Sequence, residues 1–139
     1  MSADLEKGHT GRPYIGQPYT LAITGSGLYG GYLCLQYALT PVPAELVQDR
    51  SLHEYANAGI ALDAKRHVYR DCRGAYRTSG SGTNVLGALK IGPADWAGLG
   101  RVRVLFAPLA RTPGVFRTLC EVQVIIDATR VRSATIRRA

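Results

Sequence analysis

An antiparallel β-sandwich or jelly-roll-like domain of about eight strands, with one short helix in a connection, is the fold this sequence predicts. Three observations predict it. Short runs alternate apolar and polar residues, and the clearest is Val115–Asp127. There Phe116, Cys120, Val122, Val124 and Ile126 share one face and Arg117, Glu121 and Gln123 the other, the period of a half-buried antiparallel strand. Turn residues punctuate the chain, with 16 Gly and 7 Pro. Lys and Glu, the residues of surface helices, are scarce, while Thr, Val, Tyr and Gly are plentiful. At 139 residues the chain has the length of one domain. That size buries roughly two thirds of the unfolded surface without a metal or disulfide. Apolar residues at 46% and charged residues at 19% place it among globular chains.

Residues 1–18 read as an extended arm, because Gly8, Gly11, Pro13, Gly16 and Pro18 break any regular element. Tyr14, Ile15 and Tyr19 give it apolar handles, so the segment reads either as a floppy terminus or as an assembly arm that straps onto a neighbour. The segment has no apolar core of a secretory signal, and no run in the chain is apolar enough to span a bilayer. The expectation is no membrane span and an aqueous, cytosol-like setting. Residues 19–139 are expected to form a single β-domain with a basic C-terminal end.

Tyr19–Thr24 predicts the first strand. Gly25–Gly31, GSGLYGG, reads as a loop or hairpin. It is not a phosphate cradle, because it leads into a strand and lacks a following Lys-Ser/Thr. Tyr32–Leu39 is a strand with Leu33, Leu35, Tyr37 and Leu39 on one face, stopped by Thr40-Pro41-Val42-Pro43. Ser51 and Glu54 match a capping box and Gly59 a C-terminal stop, which predicts a helix over about 51–58. Gly59–Ala64 is a strand with Ile60 and Leu62 on one face. His67–Arg70 and Gly74–Thr78 read as the arms of a hairpin turning at Asp71–Gly74. Asn84–Ile91 is another strand, broken by Gly92-Pro93, and Trp96 anchors the loop that follows. In Arg101–Phe106, Val102, Val104 and Phe106 point inward, and Arg101 and Arg103 outward. Arg111-Thr112-Pro113-Gly114 is a turn, and a last strand runs through Ala128–Ile136.

Catalytic and metal chemistry find little footing. Cys34, Cys72 and Cys120 form no C-x-x-C pair, and read as free thiols in a reducing compartment. His9, His53 and His67 lack ligand spacing, and the carboxylates form no acid/base pair. No cofactor, no metal and no enzymatic activity are expected. An enzyme would need two or more of His53, His67, Cys72 and Asp71 to converge in one pocket.

The net charge of +7 points to an acidic partner. It concentrates in Lys65–Arg77, KRHVYRDCRGAYR, where Lys65, Arg66, Arg70, Arg73 and Arg77 face the single acid Asp71. Tyr69 and Tyr76 interleave with them. Arginine neutralises phosphate and tyrosine faces stack on unpaired bases, so these seven residues form a predicted basic contact surface. The plainer reading is a solvated hairpin face whose arginine stems cover apolar surface. Arg130, Arg132, Arg137 and Arg138 repeat the theme after Asp127, with no acid among them.

Short strands, proline- and glycine-bearing connections, an extended arm and arginine-rich faces together resemble small virion structural proteins of jelly-roll or β-sandwich type. More narrowly, GGYLCLQ at Gly30–Gln36 and RTPG at Arg111–Gly114 resemble two short segments of the spike protein of small icosahedral single-stranded DNA phages, at a similar separation. The strong basic balance departs from that pattern. The resemblance implies a capsid, spike or decoration subunit, assembled in a host cytoplasm into a virion, with copies of itself or other virion proteins as partners. It carries over no site residue. The alternative is a small cytoplasmic nucleic-acid-binding β-barrel that uses the Arg/Tyr-rich hairpin at 65–77.

Overall fold

A computed structural model describes residues 9–11, 19–43, 46–56, 59–108 and 120–137. Among the described residues, eleven strands form two antiparallel sheets that face one another as a β-sandwich, and no helix occurs. In chain order they are β1 (His9–Gly11), β2 (Tyr19–Tyr29), β3 (Tyr32–Thr40), β4 (His53–Ala56), β5 (Gly59–Asp63) and β6 (Val68–Tyr69). Then follow β7 (Cys72–Thr78), β8 (Val85–Ile91), β9 (Gly100–Phe106), β10 (Cys120–Asp127) and β11 (Arg130–Arg137). One sheet has the order β1-β2-β3-β8-β7-β4, the other β11-β10-β9-β5-β6.

The alternation read from the sequence sets what each strand buries. Leu33, Leu35, Tyr37 and Leu39 of β3 point inward, as do Val102, Val104 and Phe106 of β9. Cys120, Val122, Val124 and Ile126 of β10 complete the opposing layer. All belong to one core, and the Tyr37 ring meets that of Phe106 across the two sheets, centroids 5.4 Å apart. Cα atoms of β2 and β11 approach within 8 Å, so the layers come together along that side.

The centre of the six-stranded sheet is built around glycine. Tyr37 lies opposite Gly87 on β8, and Tyr55 opposite Gly74 on β7. A Cβ at Gly87 would collide with the Tyr37 ring, and one at Gly74 with the Tyr55 ring. Both tyrosines therefore lie flat on bare backbone, and their hydroxyls meet 3.4 Å apart. Burial pushes the Tyr55 phenol up to about 12, an effect that the Tyr37 hydrogen bond offsets only in part.

Several expectations need correction. The helix at 51–58 is absent: residues 53–56 form β4. The Ser51 N–H donates to Asp49 Oδ1 (2.9 Å), closing a turn that launches an extended segment. His53 and Tyr55 then alternate onto Tyr76, with centroids 5.1 and 6.0 Å away, and a period of two wins over the capping pattern. The glycine-rich stretch is largely strand: β2 continues through it past a bulge between Ile23 and Gly25. It turns only at Gly30 and Gly31, both at positive φ, as a tight two-residue hairpin requires. On β5 Ile60 and Leu62 do share one face, the outward one, while Gly59, Ala61 and Asp63 are buried; Gly59 packs so closely that a Cβ there would sit 2.6 Å from the Leu105 carbonyl oxygen.

The hairpin predicted at 65–77 does not form. β6 pairs with β5 in one sheet, whereas β7 pairs with β4 and β8 in the other. The chain crosses the sandwich at Arg70-Asp71. Part of the predicted arm is also a strand, since β1 pairs antiparallel with β2. Tyr14, Ile15 and the Arg111–Gly114 turn lie outside the described residues. Tyr19 opens β2 as a core residue, which removes it from any exposed strap.

Replacing Gly87 with Ala is expected to destabilise the domain by about 1–3 kcal/mol, because Tyr37 is fully buried and has nowhere to move. Gly80→Ala, with nothing within 4 Å of the added methyl, is expected to be near neutral. Urea unfolding of the two variants checks this.

Candidate functional site

Sandwiches present two outer faces, and here they differ. On the six-stranded sheet, cross-strand pairing sets the outward residues in rows. Gly27, Cys34, Lys90, Arg73 and Ala56 form one row across β2-β3-β8-β7-β4. The next is Gly25, Gln36, Ala88, Ala75 and Glu54, followed by Ala22, Ala38, Leu86 and Arg77. Ala75 and Ala88 are small and central, so the face is hollow. Two adjoining depressions of about 630 and 330 Å³ share them as floor. Glu54, Arg73 and Lys90 border the first, and Arg77, Leu52 and Leu86 the second.

At one end of this face lie Tyr29 and Tyr32, paired across the Gly30-Gly31 turn. The Tyr29 ring folds back onto Gly27, where a Cβ would fall 2.5 Å from the ring. Its free side is open, and the residue is 66% exposed. Lys90 Nζ stands 4.6 Å from the Tyr32 ring centre. The Gly31 carbonyl accepts from Trp96 Nε1 (2.9 Å) and Ala94 N (2.8 Å), which pins the hairpin end. Trp96 packs in turn against Tyr69 of β6, the rings tilted by 37° with 4.6 Å between centroids, and so ties the hairpin to the opposite sheet.

The five-stranded sheet turns a mixed surface outward. Val68, Leu62 and Arg103 share one row, Ile60, Leu105, Glu121 and Arg137 another, and Arg101 pairs with Ile125. Arg103 grips Glu121 through Nε and Nη2, both at 3.1 Å, and Arg137 Nη1 adds a third contact at 3.3 Å. The hydrogen bond from Arg103 holds the Glu121 carboxyl below the usual range, against the desolvation that would raise it.

The residues of the predicted basic surface scatter over the molecule. Lys65 and Arg66 sit in the β5–β6 turn, Arg66 at φ 68°. Arg70 is exposed at the crossover, while Arg73 and Arg77 belong to the hollow face of the other sheet. Tyr76 is 1% exposed and stacks on His53, so no base can reach it. Tyr69 is held by Trp96, and its hydroxyl donates to Asp63 Oδ2 at 2.9 Å. Sequence reading missed Tyr29, Tyr32 and Lys90. The signal was present in YGGY, because a Gly-Gly hairpin turn places its two flanking residues opposite one another.

Of the residues an enzyme would need together, Asp71 and Cys72 are chain neighbours and the two histidines pair with separate aspartates. His53 Nε2 pairs with Asp49 Oδ2 at 2.8 Å, and His67 Nδ1 with Asp63 Oδ2 at 3.1 Å. Asp71 lies 4.0 Å from Arg73, both exposed. The Cys72 thiol is buried and pushed up to about 11 by desolvation, the Gly59 N–H opposing in part. Cys120 is likewise pushed up to about 12, partly offset by a hydrogen bond from Tyr19. Burial also raises Cys34, against the lowering influence of Lys90. Among the described residues, no three or more His, Cys, Asp or Glu side chains are grouped to hold a metal ion, and no helix is long and apolar enough to cross a membrane.

Asp63 organises the β5–β6 turn. Its carboxylate is only 4% exposed, and accepts from Lys65 N (2.8 Å), His67 N (3.0 Å), Tyr69 Oη and the His67 ring. Desolvation alone would raise this acid. The hydrogen bonds, led by the His67 N–H and the Tyr69 hydroxyl, outweigh it and hold the group below the usual range. No family model, curated protein or solved structure matches the chain.

A carboxylate depressed in the folded state stabilises above its unfolded value, and that stability is lost as pH falls through the folded one. Asp63 is thus expected to make thermal stability fall as the pH drops below about 4. Asp63→Asn is expected to lower the melting temperature at neutral pH and flatten its acid dependence. Parallel melts from pH 7 to about pH 3 check both effects.

Proposed function

We propose that this chain is a virion structural protein, a capsid, spike or decoration subunit that works by self-assembly and protein–protein contact rather than catalysis. The assembly part rests on one observation, the outer face of the five-stranded sheet. Ile60, Leu62, Leu105 and Ile125 there are only half covered, and Val68 is 39% exposed, among Arg101, Arg103 and Arg137. Interface cores are more apolar than the rest of a surface, enriched in arginine, and depleted in lysine and carboxylate. A sheet face that repeats on every copy suits symmetric association, in which one patch meets its own image. The virion class rests on the resemblance of the Gly30–Gln36 and Arg111–Gly114 segments to a phage spike protein. The first of these falls on the β2–β3 turn and β3.

Edge strands offer a second kind of contact. β6 is two residues long and β4 four, so each leaves little backbone open to uncontrolled pairing. β11, at the other edge of the five-stranded sheet, is longer at eight residues and approaches β2 of the other sheet.

Light scattering coupled to size-exclusion chromatography is expected to show a discrete oligomer that dissociates on dilution. Val68→Glu, with its thermal midpoint retained, is expected to shift it toward monomer. A wild-type chain that stays monomeric at high concentration would remove the assembly reading.

A further inference from the structure

We propose that the hollow outer face of the six-stranded sheet binds single-stranded nucleic acid, with Tyr29 as a stacking platform and Arg73, Lys90 and Arg77 as phosphate contacts. This goes beyond the assembly reading. It involves the opposite face and stands whether or not the chain self-associates.

Three features converge on that occupant. The first is Tyr29. Gly27 lets its ring lie flat on the strand, leaving the other side of the ring to solvent. A flat aromatic surface on a rigid sheet is what a splayed base stacks on, and every base has such a face. The Trp96 and Ala94 hydrogen bonds to Gly31 fix the hairpin end that carries Tyr29, so little order remains to be gained on binding.

The second feature is a like-charge pair. Arg73 and Lys90 are direct cross-strand partners, both exposed. Like charges directly opposite in a sheet repel. Arg73 has Asp71 at 4.0 Å and Lys90 leans on the Tyr32 ring. Neither contact places an anion between them, whereas a phosphodiester over the pair would neutralise both.

The third feature is shape. From the Tyr29–Tyr32 row to the Leu86–Arg77 row is three two-residue steps, about 20 Å of sheet. Along it the alanine floor recedes between cationic borders, and Arg77 supplies a further cation at the far end. Glu54 on the outer wall limits the cationic strip to one side of the hollow. An acidic peptide would use the cations but not the open tyrosine face. A rigid duplex would meet a concave, methyl-lined floor that it cannot enter.

The test is fluorescence anisotropy of a labelled oligothymidylate of about 15 nucleotides at low salt, with oligouridylate in parallel. Binding is expected, with affinity falling steeply as salt rises. Arg73→Ala and Lys90→Ala are each expected to reduce the log–log salt slope by about 0.7. Tyr29→Ala is expected to weaken binding about tenfold, and Tyr29→Phe, which keeps the ring, to restore it. Lys65→Ala and Arg70→Ala, which remove equal charge elsewhere, are expected to bind as the wild type does. Equal Tyr29 dependence with oligouridylate supports the proposal and extends it to RNA. No binding at low salt overturns it, as does loss through Lys65 or Arg70 instead of Arg73 and Lys90. Competition by polyglutamate with Tyr29→Ala indifferent would also overturn it, by marking an acidic-peptide surface. Circular dichroism of each variant separates a lost contact from a lost fold.

Discussion

Two dipeptides in the middle of the six-stranded sheet, Gly74-Ala75 and Gly87-Ala88, constrain both of its sides at once. Inward, the glycines leave bare backbone on which Tyr55 and Tyr37 lie flat. Only so can three tyrosines, Phe106 and His53 share one end of the core without pushing the sheets apart. Interiors pack near crystal density, so a single added methyl under a fully buried ring must displace the ring or the sheet. Outward, the alternation of a strand puts Ala75 and Ala88 directly beside those glycines, and they become the floor of the hollow. The glycines keep the aromatic core in register, and the neighbouring alanines give the outer face its concavity.

What was legible in the sequence was period. β3, β9 and β10 declare their inner faces residue by residue, and the structure buries those faces. What failed was inference from local signals that tertiary packing overrides. The capping pattern at Ser51 and Glu54 is real as a pattern. It loses to the alternation of His53 and Tyr55, which reach an aromatic core that nothing in their own segment reveals. The β6–β7 hairpin looked sound because Asp71–Gly74 is good turn chemistry. In a sandwich, however, adjacent strands are free to join different sheets, and the pairing of β6 with β5 and β7 with β8 decides it.

The site was less legible than the fold for the same reason. A charge run in sequence becomes a charged surface only if its residues stay on one side. Lys65 to Arg77 alternates, turns and crosses the sandwich. Its arginines thus part company, and Tyr76 goes inward. Conversely Lys90, isolated in sequence within an apolar strand, gains Arg73 as a neighbour through pairing alone. Tyr29 is separated from both by dozens of residues and joins them through the β2–β3 hairpin.

The two outer faces also treat positive charge in opposite ways, and this bears on their partners. On the five-stranded sheet Glu121 bridges Arg103 and Arg137, so that face settles much of its charge internally and leaves half-covered apolar side chains between. A surface of that kind gains most by excluding water against another protein surface, since the desolvation of an already paired ion costs less than that of a lone one. On the six-stranded sheet Arg73 and Lys90 stand side by side over a hollow, with the open Tyr29 ring at its end. That arrangement gains most from a flexible polyanion that brings its own flat apolar groups. The division follows from where Glu121 and the small residues fall in the register, not from the total charge of the chain.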